Sequence, residues 1–371
     1  MKVVAVCDSF KGSLGSADAG EAVARGIRKA LQGAEVIVLQ AGDGGEGTSE
    51  AIAAIVGARR VDVIVPGPMM SPVEASYFIS VDNSHAYMDF AAASGITLLP
   101  GGRKDPMLAT SYGVGILMSH ALDAGVGKIT VSLGGSATND AGAGLLQALG
   151  CRFLTREGFI LPSPLLPCNF GMVGSMDSSD ALERLGEACI EALYDVDVPL
   201  CGIRGASAVF GPQKGASDDM VYLLDDALSH MADIYGFSRK QEAGGAAGGA
   251  AAAFMDVLGA EMRSGADAML DYAGFDTLID GASLIVTGEG SADRQTLLGK
   301  LPSRILMRGK RKDIPVALLC GKVSDKESLL EEGFSSVTDI NAAFRHDSAD
   351  PLDPRVAASR LEGAAFRLLS R

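Results

Sequence analysis

Three short apolar runs alternate with helix-forming stretches over the first 66 residues, and no other feature restricts the fold as much. Lys2 to Cys7 is almost continuously apolar, the pattern of a strand buried on both faces. A helix is expected from about Ser16, with Ala19, Val23, Ile27 and Leu31 spaced by four. Ala34 to Leu39 reads as a second strand, a helix runs to about Val56, and Arg60 to Val65 reads as a third strand. A βαβαβ start predicts an open parallel sheet with right-handed crossovers, which binds ligands at the carboxyl ends of its strands. Two polar turns fall at such ends: Asp8-Ser9-Phe10-Lys11-Gly12-Ser13 and Gly42-Asp43-Gly44-Gly45-Glu46-Gly47-Thr48.

The pattern changes at Pro66-Gly67-Pro68 and Pro72. Val73 to Val81 and His85 to Phe90, joined by Asp82-Asn83-Ser84, read as an antiparallel hairpin. The αβ rhythm returns near Ser283, with strands at Ser283–Thr287, Pro315–Cys320 and Val337–Ile340 and a closing helix over Leu352–Leu369. The expected organisation is an α/β protein of two α/β domains. Residues 1–66 and 283–371 form a flavodoxin/Rossmann-like parallel-sheet domain, split by a mixed α/β domain over residues 67–282, with strand-end turns of both facing one active-site cleft.

Within the inserted part, Ile129-Thr130-Val131-Ser132-Leu133 reads as a strand and Leu145 to Leu149 as a helix. Between them lies Gly134-Gly135-Ser136-Ala137-Thr138-Asn139-Asp140-Ala141-Gly142-Ala143-Gly144. A glycine-rich turn between strand and helix aims backbone N–H groups at one spot, beside the positive end of the helix. Ser136, Thr138, Asn139 and Asp140 add polar side chains, so the stretch suits an anion such as phosphate. Further polar turns are Asp195-Val196-Asp197-Val198-Pro199-Leu200, Phe210-Gly211-Pro212-Gln213-Lys214-Gly215-Ala216 and Gly288-Glu289-Gly290-Ser291-Ala292-Asp293-Arg294-Gln295-Thr296. Gly244 to Ala253 reads as a flexible loop entering a helix, or else as backbone approaching a ligand closely.

The net charge of −14 argues against nucleic-acid and membrane-surface binding, and requires any anion site to gather its own cations. Six scattered cysteines without a CxxC pair, and an N-terminus unlike a signal peptide, suit a reducing cytoplasm. No GxSxG elbow, Walker A sequence or kinase glycine-loop set is present, and no GxGxxG follows the first strand. Carboxylates for Mg²⁺, lysines for phosphate and glycine-rich anion turns remain. That inventory suits phosphoryl transfer, which is mostly positioning and charge neutralisation.

Seven of these motifs occur in a specific order: Asp8 to Leu14, Asp43 to Thr48, Ser111-Tyr112-Gly113, Gly134 to Asp140, Phe210 to Ala216, Gly244 to Gly249, and Gly288-Glu289-Gly290 with Asp293, Gln295-Thr296 and Gly299-Lys300. In this order they resemble the bacterial glycerate kinases of type I, over nearly the whole chain. The resemblance implies ATP- and Mg²⁺-dependent phosphorylation of glycerate, more often to 2-phosphoglycerate, by two α/β domains. Three stretches depart from the family's usual residues: Val198 replaces Asn, Val114-Gly115-Ile116 replaces Thr-Gly-Glu, and Ser303-Arg304-Ile305 replaces Gly-Val-Ala.

Carried onto this sequence, the resemblance gives Lys11, Asp43 and Asp195 as catalytic candidates. Lys11 is a cation for the glycerate carboxylate or the transferring phosphate. Asp43 and Glu46 are a general base or Mg²⁺ ligands, and Asp195 and Asp197 are further metal candidates. Ser9, Lys11, Glu46, Ser136, Thr138 and Asn139 are candidates for binding glycerate, and Lys214, Gly288, Thr296 and Lys300 for the ATP phosphates. Asp140, Glu289 and Asp293 are candidate metal ligands. Arg304 and Arg308 read as a solvated face. Glycerate and ATP are the expected partners, with a homodimer compatible, and a cytoplasmic location is expected. Two other readings are a non-catalytic small-acid-binding regulator that kept the pocket and an NAD-dependent oxidoreductase, which the missing fingerprint disfavours.

Overall fold

The computed structural model describes residues 1–10, 12–40, 45, 47–99, 104–297, 299–344 and 348–370. Among them the strands, in chain order, are β1 Lys2–Cys7, β2 Glu35–Gln40, β3 Arg59–Pro66, β4 Pro72–Ile79, β5 His85–Asp89, β6 Lys128–Ser132, β7 Arg152–Leu154, β8 Ser175–Asp177, β9 Cys189–Tyr194, β10 Glu261–Ser264, β11 Leu284–Ala292, β12 Val316–Val323 and β13 Ser336–Asp339. The chain divides into two compact units, Met1–Asp43 with Ala266–Arg371, and Gly44–Gly265.

The first unit holds a five-stranded sheet in the order β2-β1-β11-β12-β13, with every neighbouring pair parallel. This is the flavodoxin-like doubly wound order. Alternate residues feed opposite cores. Val4, Val6 and Ile285 meet Leu301, Ile305 and Leu306 of the helix Leu301–Arg311 on one face. Val3, Ala5 and Val286 meet Val23 and Ile27 of the helix Ser16–Ala30, with Leu361 of the helix Pro354–Leu369, on the other. Burial on both faces explains why β1 is a run of apolar residues, and why β11 opens on one, Leu284-Ile285-Val286, rather than alternating. The crossovers leaving β1 and β11 go to opposite faces, so the chain reverses between these two neighbours, where such sheets open a ligand crevice.

The second unit holds a six-stranded mixed sheet in the order β3-β4-β5-β6-β9-β10, and a short antiparallel pair, β7 with β8. The expected hairpin is present as antiparallel β4 and β5, while β5, β6, β9 and β10 run parallel. Its core gathers Met88, Val131, Leu145, Leu146 and Phe254.

Two expectations about chain division change. The strand expected over Arg60 to Val65 was assigned to the first sheet, but β3 pairs antiparallel with β4 and forms the edge of the second. Its residues explain this: Arg60, Asp62 and Ile64 are exposed while Val61, Val63 and Val65 turn inward, the one-sided alternation of an edge strand. At the other end, Ala266, Leu270, Phe275 and Ile279 pack against Val4, Val6 and Ile285, so this stretch joins the first unit rather than the insertion. Strand β11 also runs past Thr287 to Ala292, because its parallel pairing with β12 continues to Ala292 opposite Val323. Gly288 to Ala292 is therefore strand, not turn.

Candidate active site

At the carboxyl end of β11, Glu289 is buried at the level of Cys320 on β12. The Thr296 hydroxyl donates to Glu289 Oε1 at 2.6 Å and accepts the amide of Asp293 at 3.1 Å. The Lys300 ammonium lies 3.5 Å from Glu289 Oε2. Burial pushes the Glu289 carboxyl up, against the opposing pull of the Thr296 and Lys300 hydrogen bonds. Lys300 is the N-cap residue of the helix Leu301–Arg311, whose first turn takes Pro302 at no hydrogen-bond cost. Thr296, Glu289 and Lys300 thus form one cluster, with Asp293 joined to it through its backbone. The Asp293 carboxylate itself caps the local turn, accepting the Gln295 amide at 2.7 Å. Gly288 has a packing reason to be glycine: a Cβ there would sit 2.4 Å from the Leu319 carbonyl oxygen and 3.2 Å from the Phe10 ring.

In the second unit the Gly134–Gly144 stretch wraps a buried lysine. Lys214 is 2% exposed and donates to Ser136 Oγ at 2.9 Å and to the Thr138 carbonyl at 2.6 Å. Burial lowers its ammonium from 10.5 to about 7, opposed by the nearby Asp140 charge. Lys214, Gly134, Gly135, Ser136 and Asp195 line a cavity of about 260 Å³. Asn139 is fully buried; its amide donates to Ser207 Oγ at 3.0 Å, while Asn139 Oδ1 and Thr138 Oγ1 have no hydrogen-bond partner among the described residues. Unsatisfied buried acceptors are uncommon and mark places where a ligand or water completes the set.

Asp140 does not stand open to a metal. It is fully buried and accepts from Ser111 N and Ser111 Oγ, both at 2.7 Å, and from the amides of Gly142 and Gly144. Its carboxylate ties the loop to the start of the helix Tyr112–Asp123, the reason an aspartate is needed there. Asp197 likewise accepts the Ala243 amide at 3.0 Å. The Gly244–Ala253 stretch is neither flexible nor exposed: Ala246 to Ala253 is buried. Gly248, at φ +65°, lies so close to the motif that a Cβ would meet the Thr138 carbonyl oxygen at 1.9 Å, and its own carbonyl accepts the Ala141 amide. The low-complexity run is the surface on which the motif rests. Arg308 is also buried, against Asp267, Asp271 and Asp276, and Arg304 pairs with Asp267, so this helix face is not solvated.

Of the other candidates, Ser9 follows β1 and its amide is held by Asp8 Oδ1. Lys11, Asp43 and Glu46 lie outside the described residues. Sequence reading missed Asp89. This buried carboxylate at the end of β5 accepts the Gly47 amide at 2.8 Å, the Ser49 amide at 3.0 Å and the Ser132 hydroxyl at 2.5 Å. It caps the helix Thr48–Val56 from another strand and anchors the chain just after the Asp43–Thr48 motif. The signal was present: Asp89 and Ser132 are the polar ends of adjacent apolar strands and pair in register. Among the described residues, no group of three or more His, Cys, Asp and Glu could hold a metal ion, and no helix is long and apolar enough to cross a membrane.

A doubly wound sheet, a buried carboxylate joined to threonine and lysine at its strand end, and a glycine-rich loop around a second lysine define an α/β kinase. A family model described as the glycerate kinase family matches residues 3–357, and the chain belongs to that family. A glycerate kinase of Bacillus cereus is 43% identical over 92% of this chain and 91% of its own length. A glycerate 2-kinase of Escherichia coli K12 is 37% identical over 93% of each. A crystal structure of a protein assigned as glycerate kinase 2 from Salmonella typhimurium LT2 superposes with a TM-score of 0.82 at 36% identity, over 100% of this chain and 97% of that one.

Proposed function

We propose that this enzyme transfers the γ-phosphoryl group of ATP to glycerate with Mg²⁺, giving 2-phosphoglycerate. The observation that carries the reading is the Glu289–Thr296–Lys300 cluster at a strand end of a chain that shares 37% identity with a glycerate 2-kinase over nearly its whole length. Lys300 offers its ammonium to the ATP phosphates, aided by Gly288 and Thr296. Mg²⁺ bound through nucleotide phosphates needs only one or two protein carboxylates. Glu289, with Asp293 close in sequence, fits that requirement better than Asp140, whose oxygens are taken by the loop. When bound, the ion neutralises charge on the transferring phosphoryl group.

Lys214, Ser136 and the Gly134–Gly135 backbone form an anion cradle in the second unit; Thr138 and Asn139, the other substrate candidates of this loop, are buried behind it and support its walls. Asp195 on the same cavity wall is a candidate to take the hydroxyl proton, as is Asp43. Lys11, Ser9 and Glu46 complete the proposed substrate contacts. Folded protein should form ADP only when D-glycerate and Mg²⁺ are both added, and chelation should stop the reaction. ADP formation indifferent to glycerate would refute the proposal.

A further inference from the structure

A cavity of about 520 Å³ in the first unit is separate from the groups assigned above. It opens where β11, β12 and β13 end, with Gly290, Gly321 and Asp339 on its lining. Its walls are Phe10, Ile340, Phe344 and Leu352, and Asn341 and Arg360 supply its polar edge. The polar edge is built rather than loose. Asn341 donates to the Gly321 carbonyl at 2.7 Å and accepts from Arg360 at 2.8 Å, and the Arg360 guanidinium lies 4.7 Å from the Phe344 ring centroid. The Phe344 wall is thereby held in place from one side.

We propose that this cavity binds the nucleoside half of the phosphoryl donor, with the purine ring against Phe344 and Leu352. Two observations support this, and a third sets the path of the phosphates. Its size lies in the range of small-molecule sites, and its walls are mostly apolar with few fixed polar groups. It sits at the carboxyl edge of a doubly wound sheet, where nucleotides bind in such folds. Gly290, which lines it, directly follows Glu289 but faces the opposite side of the sheet, so the phosphates of a nucleoside here pass over the carboxyl edge of β11 to reach the Glu289–Thr296–Lys300 cluster. The inference rests on the kinase reading and adds to it which unit holds the nucleotide.

The test is calorimetric titration of the full-length protein with ADP, beside steady-state kinetics with ATP and glycerate. Phe344→Ala removes an aromatic wall, and losing one ring–base contact commonly costs about tenfold or more in affinity. Leu352→Glu places a carboxylate at the cavity from a position that is 55% exposed, so it tests the site even where Phe344→Ala fails to fold. The expected result is an ADP dissociation constant raised about tenfold or more in each folded variant, with KM for ATP rising in step and KM for glycerate changed less than about threefold. Wild-type ADP affinity in folded Leu352→Glu would overturn the proposal. With glycerate turnover intact, that failure would leave the kinase reading standing. ADP binding lost in the variants of a protein without glycerate turnover would instead support the site and refute the proposed reaction.

Discussion

Lys214 donates its ammonium to the Thr138 carbonyl at 2.6 Å, from a position with 2% of its surface exposed. A lysine so enclosed is costly for the fold. Its hydrogen bonds to Ser136 and Thr138 make it the structural centre of the Gly134–Gly144 loop.

The cost has a definite pH signature. Unfolded, the lysine keeps its proton to 10.5; folded, to about 7. Between these values the unfolded chain binds more protons, so stability rises with pH, and the burial cost is fully present only below pH 7. Relative to Lys214→Met, the wild type should gain about 2 kcal/mol between pH 7 and pH 9. Urea unfolding of both proteins at the two pH values measures this, and parallel changes would show that Lys214 does not titrate in that window.

The same lysine should report substrate. An anion in the cavity favours the ammonium form, so glycerate binding at pH 8 should take up a proton in the wild type and none in Lys214→Met. Calorimetry in buffers of different ionisation enthalpy reads the proton count. Equal counts in both would place the anion elsewhere.

Asp89 links β5 to the Gly47 and Ser49 amides. Asp89→Ala should lower stability by about 1–2 kcal/mol as a lost helix cap. It should also reduce kcat/KM beyond what the unfolded fraction explains, because the neighbouring Asp43–Thr48 motif loses its anchor. Unchanged kcat/KM in protein verified as folded would reduce Asp89 to a cap alone.

Much of the first unit was legible in sequence because strands buried on both faces leave unbroken apolar runs, as at Val3 to Cys7. The edge strand β3 was misplaced because βαβαβ rhythm outweighed the alternation of Arg60, Asp62 and Ile64. The functional turns were visible by their glycine and polar content. What sequence could not resolve was which polar groups serve the fold: Asp140 is consumed by two donors of Ser111 and two loop amides, and Arg308 by carboxylates from 32 to 41 positions away. Burial and partners of this kind depend on the tertiary neighbour, not on local pattern.

Arg308→Ala gives the contrasting case. Its side chain is 9% exposed, against aspartates that are 30%, 48% and 56% exposed. Because those carboxylates keep much of their water, removing the arginine should cost about 1–3 kcal/mol rather than the larger loss of a fully buried network. Denaturant unfolding should show this, while kcat/KM per folded molecule stays near wild type. A large fall in kcat/KM at unchanged stability would assign Arg308 to the reaction.

Lys300 lies beside Glu289 at 3.5 Å and remains 41% exposed. Lys300→Ala should lower kcat/KM for ATP by about 10²-fold, as loss of one positioned charge at a transferring phosphoryl group does, with little change in melting temperature. Near-wild-type ATP kinetics would remove Lys300 from the phosphate site.

The most direct test of the account is phosphorus NMR of a reaction containing this protein, ATP, Mg²⁺ and D-glycerate. A new phosphomonoester resonance should grow with that of ADP, split into a doublet by the single proton on C2. The absence of a glycerate-dependent monoester signal would contradict the proposed reaction, and a triplet from a C3 methylene would contradict 2-phosphoglycerate as the product.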